Sequence, residues 1–109
     1  MGHLGEFEHL LLLTIVRLGD DAVGVNITRE LEKVAGRRVS RGALYATLDR
    51  LEDKGLVRWK PRAGTPERDG IPRRAYAATP AGAAALRASR KVLQRLWRGL
   101  DQLFKEPTG

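Results

Sequence analysis

Apolar positions recur along this chain at helical spacing in four blocks, with one stretch of period two between the third and fourth. Between Ser40 and Gly55, Leu44, Leu48 and Leu51 recur at four and three and predict a short helix with one buried stripe. Ser40 is placed to cap its N-terminus and Gly55 to end it in a left-handed conformation. Arg41, Tyr45, Asp49 and Arg50 fall off that stripe and face outward. Two readings fit this helix alone. It is an ordinary amphipathic helix whose Tyr packs on a neighbour, or a surface that meets phosphates and base edges.

The flanking blocks bear on that choice. From Glu6 to Leu18 the residues Phe7, Leu10, Leu11, Leu12, Leu13, Ile15, Val16 and Leu18 predict a helix apolar around most of its circumference. Such a helix needs cover on more than one side, and in a chain of 109 residues a second copy is the expected supplier. Gly19-Asp20-Asp21 breaks it, with either Asp available to cap the next helix. Val23, Ile27, Leu31 and Val34 then predict a second helix from Ala22 or Val23 to Val34, in which Gly24 permits close helix packing. Gly36 closes it, and the helix that starts after Ser40 comes directly afterwards. Two short amphipathic helices joined by a Gly-containing turn form a helix-turn-helix pattern.

From Val57 apolar and basic residues alternate, predicting a strand with Arg58, Lys60 and Arg62 on one face and Trp59 at the wing base in the core. Residues 63–72 read as a loop, and Arg73 to Thr79 as the returning strand, packed mainly through Tyr76. A helix-turn-helix followed by a basic hairpin is a winged helix, whose hairpin can reach the DNA backbone or the adjacent minor groove. The fold class is therefore mainly α with a small β-hairpin. Thr79 and Pro80 open a last helix expected to run to about Phe104, roughly 37 Å at 1.5 Å per residue. Its stripe of Leu86, Leu93, Leu96, Trp97, Leu100, Leu103 and Phe104 exceeds what so small a domain covers. The predicted dimer interface comprises Phe7, Leu11, Leu93, Leu96, Trp97, Leu100 and Phe104. Residues 1–79 thus form a winged helix-turn-helix unit and 80–109 a dimerisation helix that packs with the first helix.

Charge sharpens the picture. The net charge is +7, and Met1–Gly36 holds three Lys/Arg against six Asp/Glu, whereas Arg37–Thr79 holds eleven against five. Pro80–Gly109 holds six against two. A basic middle and C-terminal part is the footprint of a polyanion partner. Predicted DNA contacts are Ser40, Arg41, Tyr45 and Arg50 on the helix and Arg58, Lys60, Arg62, Arg68, Arg73 and Arg74 on the wing. For Arg50 an ion pair with Glu30 or Asp53 is the equal alternative.

Other chemistry finds little support. The chain has no cysteine, and His3 and His9 lack partners spaced as metal ligands, so no metal or cofactor is expected. No phosphate loop or nucleophile elbow is present, which argues against an enzyme. The apolar run Leu10 to Val16 is far short of the roughly 20 residues a membrane span needs, and neither it nor its flanks read as a signal peptide, so a cytoplasmic protein is expected.

The stretch Gly42-Ala-Leu-Tyr-Ala-Thr-Leu-Asp-Arg-Leu-Glu-Asp-Lys-Gly-Leu56 resembles the recognition-helix signature of the PadR family of transcriptional regulators. Arg73-Arg-Ala-Tyr-Ala-Ala-Thr-Pro-Ala-Gly82 resembles that family's second wing strand and following turn, with Ala75 and Ala78 where the family usually has Tyr and Leu. Gly5-Glu-Phe-Glu and Gly19-Asp-Asp-Ala-Val-Gly24 are similar to its first helix and the start of its second. The resemblance implies a homodimeric winged-helix repressor of double-stranded DNA, of the shorter form with a single C-terminal helix. By position it assigns DNA contacts to Tyr45 and the wing arginines. Trp97 reads first as a packed interface residue, and second as one wall of a slot for a planar aromatic effector formed across a two-fold axis. A winged-helix protein-interaction module is the alternative function.

Overall fold

The structure, a computed structural model, describes residues 4–64, 66 and 70–104, without the side chains of residues 101 and 104. The helices are α1 (Glu6–Leu18), α2 (Gly24–Ala35), α3 (Arg41–Asp53) and α4 (Pro80–Trp97). Between α3 and α4 lie strands β1 (Val57–Arg62) and β2 (Arg73–Ala78), paired antiparallel with Trp59 opposite Tyr76.

The apolar stripes meet as their spacing requires. Leu11, Leu12 and Ile15 of α1, Ile27 and Leu31 of α2, and Leu44, Leu48 and Leu51 of α3 form one buried core with Val57 and Tyr76. Each such side chain, fully buried, contributes about 1.5–3 kcal/mol. Period two in β1 puts Val57 and Trp59 on the core side and leaves Arg58, Lys60 and Arg62 exposed. On its other edge β2 bridges to Val23 through Ala75, and the Tyr76 N–H donates to the Ala22 carbonyl at 2.9 Å. The hairpin is therefore fixed to the start of α2.

Capping explains most boundaries. Ser40 Oγ accepts from the Ala43 N–H at 3.1 Å, and Thr79 Oγ1 from the Gly82 N–H at 3.0 Å, with Pro80 at the first helical position. Two expectations need correction here. Neither Asp20 nor Asp21 caps α2, whose N-cap is Val23. The two Asp sit instead in a 3-10 turn, where the Asp21 carbonyl accepts from Asn26 Nδ2 and its carboxylate pairs with Arg62. The last helix ends at Trp97, not near Phe104, so it spans roughly 27 Å. Arg98 leaves the helical region and Gly99 takes a φ of +81°, a conformation that only glycine adopts cheaply. A short 3-10 turn, Asp101–Phe104, comes next.

Leu11 also departs from its expected place. It is fully buried in the core of its own chain, so it has no surface left for an interface. The exposed apolar residues of α1 are its neighbours on the far side, Leu13 and Val16.

Candidate nucleic-acid interface

Helix α3 presents its N-terminal half beside the start of α2 and the end of the wing loop. Because Leu44 and Leu48 point inward, Arg41 and Tyr45 emerge one turn apart on the outer side, and the Arg41 guanidinium lies 5.8 Å from the Tyr45 ring centre. Tyr45 is half-buried, its ring leaning onto α2. A Cβ built on Gly24 would stand 2.5 Å from the Tyr45 hydroxyl oxygen. The close packing expected at Gly24 is thus a contact with one side chain of α3.

A cleft of about 830 Å³ opens between these elements. Its walls carry Arg29, Arg41, Arg73 and Arg74 against one carboxylate, Glu32, which is paired with Arg38 at 3.3 Å. The excess of positive charge beside Tyr45 makes this an anion-attracting concavity. Val25, Thr28, Arg29 and Glu32 of α2 line it too, and sequence reading passed over them. Their signal was present: they recur at three, four and seven, the outer stripe opposite Ile27 and Leu31.

The wing residues divide. Arg58 and Lys60 are exposed and form no ion pair among the described residues. Arg62 is tied down, donating through Nη1 to the Asp21 carboxylate at 3.2 Å and the Asp20 carbonyl at 3.1 Å. Arg73 is half-buried in the cleft wall. Arg74 stacks on Trp59 with its guanidinium 4.1 Å from the ring centre. Burial pushes the Tyr76 hydroxyl up from its ordinary value, and the neighbouring Arg74 only partly offsets this. Arg68 lies outside the described residues. Arg50 takes neither expected carboxylate partner; its Nη2 donates to Thr47 Oγ1 at 3.1 Å.

The interface candidates occupy the opposite side. Leu93, Leu96, Trp97 and Leu100 are all exposed, Leu96 at 66%. A second cleft of about 680 Å³, between α1 and α4, is lined by Leu13, Leu86, Leu93 and Trp97 with Arg87, Arg90 and Arg98 at its rim. Phe7 is half-buried beneath the Arg37 guanidinium, 5.3 Å from its ring centre. The Phe104 side chain lies outside the described residues. No helix among the described residues is long and apolar enough to cross a membrane.

The comparisons with known proteins bear on this arrangement. Residues 12–88 match the model of the transcriptional regulator PadR-like family. Over 75 residues the chain is 48% identical to transcriptional regulator Rv3488 of Mycobacterium tuberculosis, covering 69% of this chain and 65% of that protein. Among solved structures, a PadR-like transcription factor from Bacteroides fragilis superposes with a TM-score of 0.73 at 24% identity, covering 89% of this chain and 88% of the other. A PadR family regulator from Eggerthella lenta gives 0.66 at 25% identity, covering 94% and 88%. The fold is that of the PadR-like winged helices, and the family is one of regulators, not enzymes. By a match across most of its length, the chain belongs to the PadR-like family of transcriptional regulators.

Proposed function

We propose that the protein is a sequence-specific double-stranded DNA-binding regulator, a repressor, that works as a homodimer in the cytoplasm. The observation that carries this reading is the cleft between α2, α3 and β2, where four arginines surround Tyr45. In the proposed complex the N-terminal half of α3 enters the major groove, with Arg41 and Tyr45 at base edges and phosphates. Ser40, at the helix start, lies against the backbone, and Arg50 stands further from the groove because it is turned toward Thr47. Arg58 and Lys60 follow the backbone or the adjacent minor groove, together with Arg73 and Arg74.

Residues 80–109 supply the dimer contact. The exposed stripe Leu93, Leu96, Trp97 and Leu100 adjoins Leu13 of α1, which lines one cleft with Leu93 and Trp97, a surface that a second copy covers. Two copies then present their α3 helices to half-sites about 34–36 Å apart. Trp97 packs in this interface; a planar aromatic effector at the same place would quench its fluorescence, and Trp97→Ala would abolish the effect. A protein-interaction module would present a neutral or apolar outer face to its partner, whereas this one is basic.

The test is a gel shift with the DNA upstream of the protein's own gene. The reading requires binding that survives excess unrelated duplex. Equal binding to both at low salt would contradict it.

A further inference from the structure

Gly24 is the first residue of α2, and its missing side chain leaves the space that the Tyr45 hydroxyl occupies. A Cβ there would lie 2.5 Å from that oxygen, 3.3 Å from Tyr45 Cζ and 3.9 Å from Leu44 Cδ2. No backbone atom of another element crowds the position, and Gly24 is in an ordinary helical conformation rather than at positive φ. An added methyl group therefore meets the far end of one side chain and little else. That side chain can move outward into the cleft that it lines.

We infer that Gly24 is a positioning residue that sets where Tyr45 reads DNA, and so helps determine sequence specificity from a different helix. The inference rests on the DNA-binding reading above. The Tyr45 ring is held from two sides, by Gly24 beneath its hydroxyl and by the Arg41 guanidinium 5.8 Å from its centre. Any residue larger than glycine at position 24 pushes the hydroxyl toward the duplex. The ring then reaches a different base edge, or clashes with the one it served. Helix propensity runs the other way, because Ala is favoured over Gly in a helix, by at most about 1 kcal/mol at this first helical position. Stability and specificity thus pull in opposite directions at this position, which separates a positioning role from a merely structural one.

The experiment compares wild type, Gly24→Ala, Tyr45→Phe and the double variant. Two readouts are used: the ring resonances of Tyr45 in the free protein, and selection of sites from random duplex DNA. In Gly24→Ala the melting temperature is expected to hold or rise, while the Tyr45 resonances shift. Discrimination between the wild-type site and its single-base variants should fall about tenfold, the scale of one mismatched base pair. The double variant should discriminate nearly as Tyr45→Phe does alone, because removing the hydroxyl removes the closest contact and leaves only the 3.3 Å approach to Cζ. Unmoved Tyr45 resonances in Gly24→Ala overturn the positioning role whether or not DNA is bound. Moved resonances with an unchanged selected site, or additive effects in the double variant, overturn the specificity role. If the wild type selects no site at all, the DNA reading falls and the specificity role with it, while the resonances still decide the positioning.

Discussion

The Lys54 ammonium, at the C-terminal end of α3, sits 2.9 and 2.8 Å from the two carboxylate oxygens of Glu8 in the first turn of α1. The Gly5 N–H donates to the same carboxylate at 2.8 Å, so Glu8 caps its own helix and anchors another. One side chain thereby joins the helix proposed to read DNA to the helix whose outer face is proposed to dimerise. Burial alone would raise the Glu8 carboxyl, but the Lys54 and Gly5 bonds outweigh it and hold the group below the usual carboxylate value.

Because folding lowers this carboxyl, the pair's contribution is present above the ordinary carboxylate range and is lost as pH falls through the depressed native value. Glu8→Gln should cost about 1–2 kcal/mol at neutral pH, the range for charged hydrogen bonds reduced because Lys54 reaches solvent. Thermal melts from pH 7 down to about pH 3 check this. The gap between wild type and variant should close at the acid end. A constant gap would mean that the ion pair contributes nothing beyond shape.

The dimer proposal has a direct probe in α4. Leu93 and Leu96 are exposed in a single chain, so replacing both with Asp leaves the protomer core intact. The double variant should keep its helical circular dichroism but sediment as a monomer. Without the link between half-sites, operator binding should weaken by about a hundredfold or more. An unchanged sedimentation coefficient would place the interface elsewhere.

Much of this layout is legible in the sequence, and the exceptions have physical reasons. The stripes at Leu44, Leu48 and Leu51 and at Val23, Ile27 and Leu31 are buried as read, but Val34, read as the last member of the second stripe, is 57% exposed, because it lies in the final turn of α2, beyond the reach of the core. Leu11 departs from expectation because an almost wholly apolar helix does not show in sequence which side its own chain covers. The end of α4 departs because Leu100 and Leu103 continue the apolar spacing past Gly99, whose backbone breaks the helix. Tertiary ties such as Arg62 to Asp21 and Tyr45 on Gly24 join residues about twenty or more positions apart, which no local pattern encodes.

The Arg62 tie separates the wing cations in a measurable way. Arg58→Ala and Lys60→Ala should each reduce the salt dependence of DNA binding, by about 0.9 in log–log slope for every phosphate no longer neutralised. Arg62→Ala should change the slope less, since Asp21 already neutralises that guanidinium. Filter binding of the three variants across a salt series checks the order. A larger change for Arg62 than for the other two would show that the Asp21 pair opens on the duplex.

The decisive measurement is the affinity of the wild-type protein for a selected duplex and an unrelated one, each across a salt series. With about six phosphates neutralised per dimer, the log–log slope should lie near −5 for the selected duplex. The selected duplex should bind about a thousandfold or more tighter than the unrelated one. A slope near zero, or equal affinity for the two duplexes, would contradict specific DNA recognition by this protein.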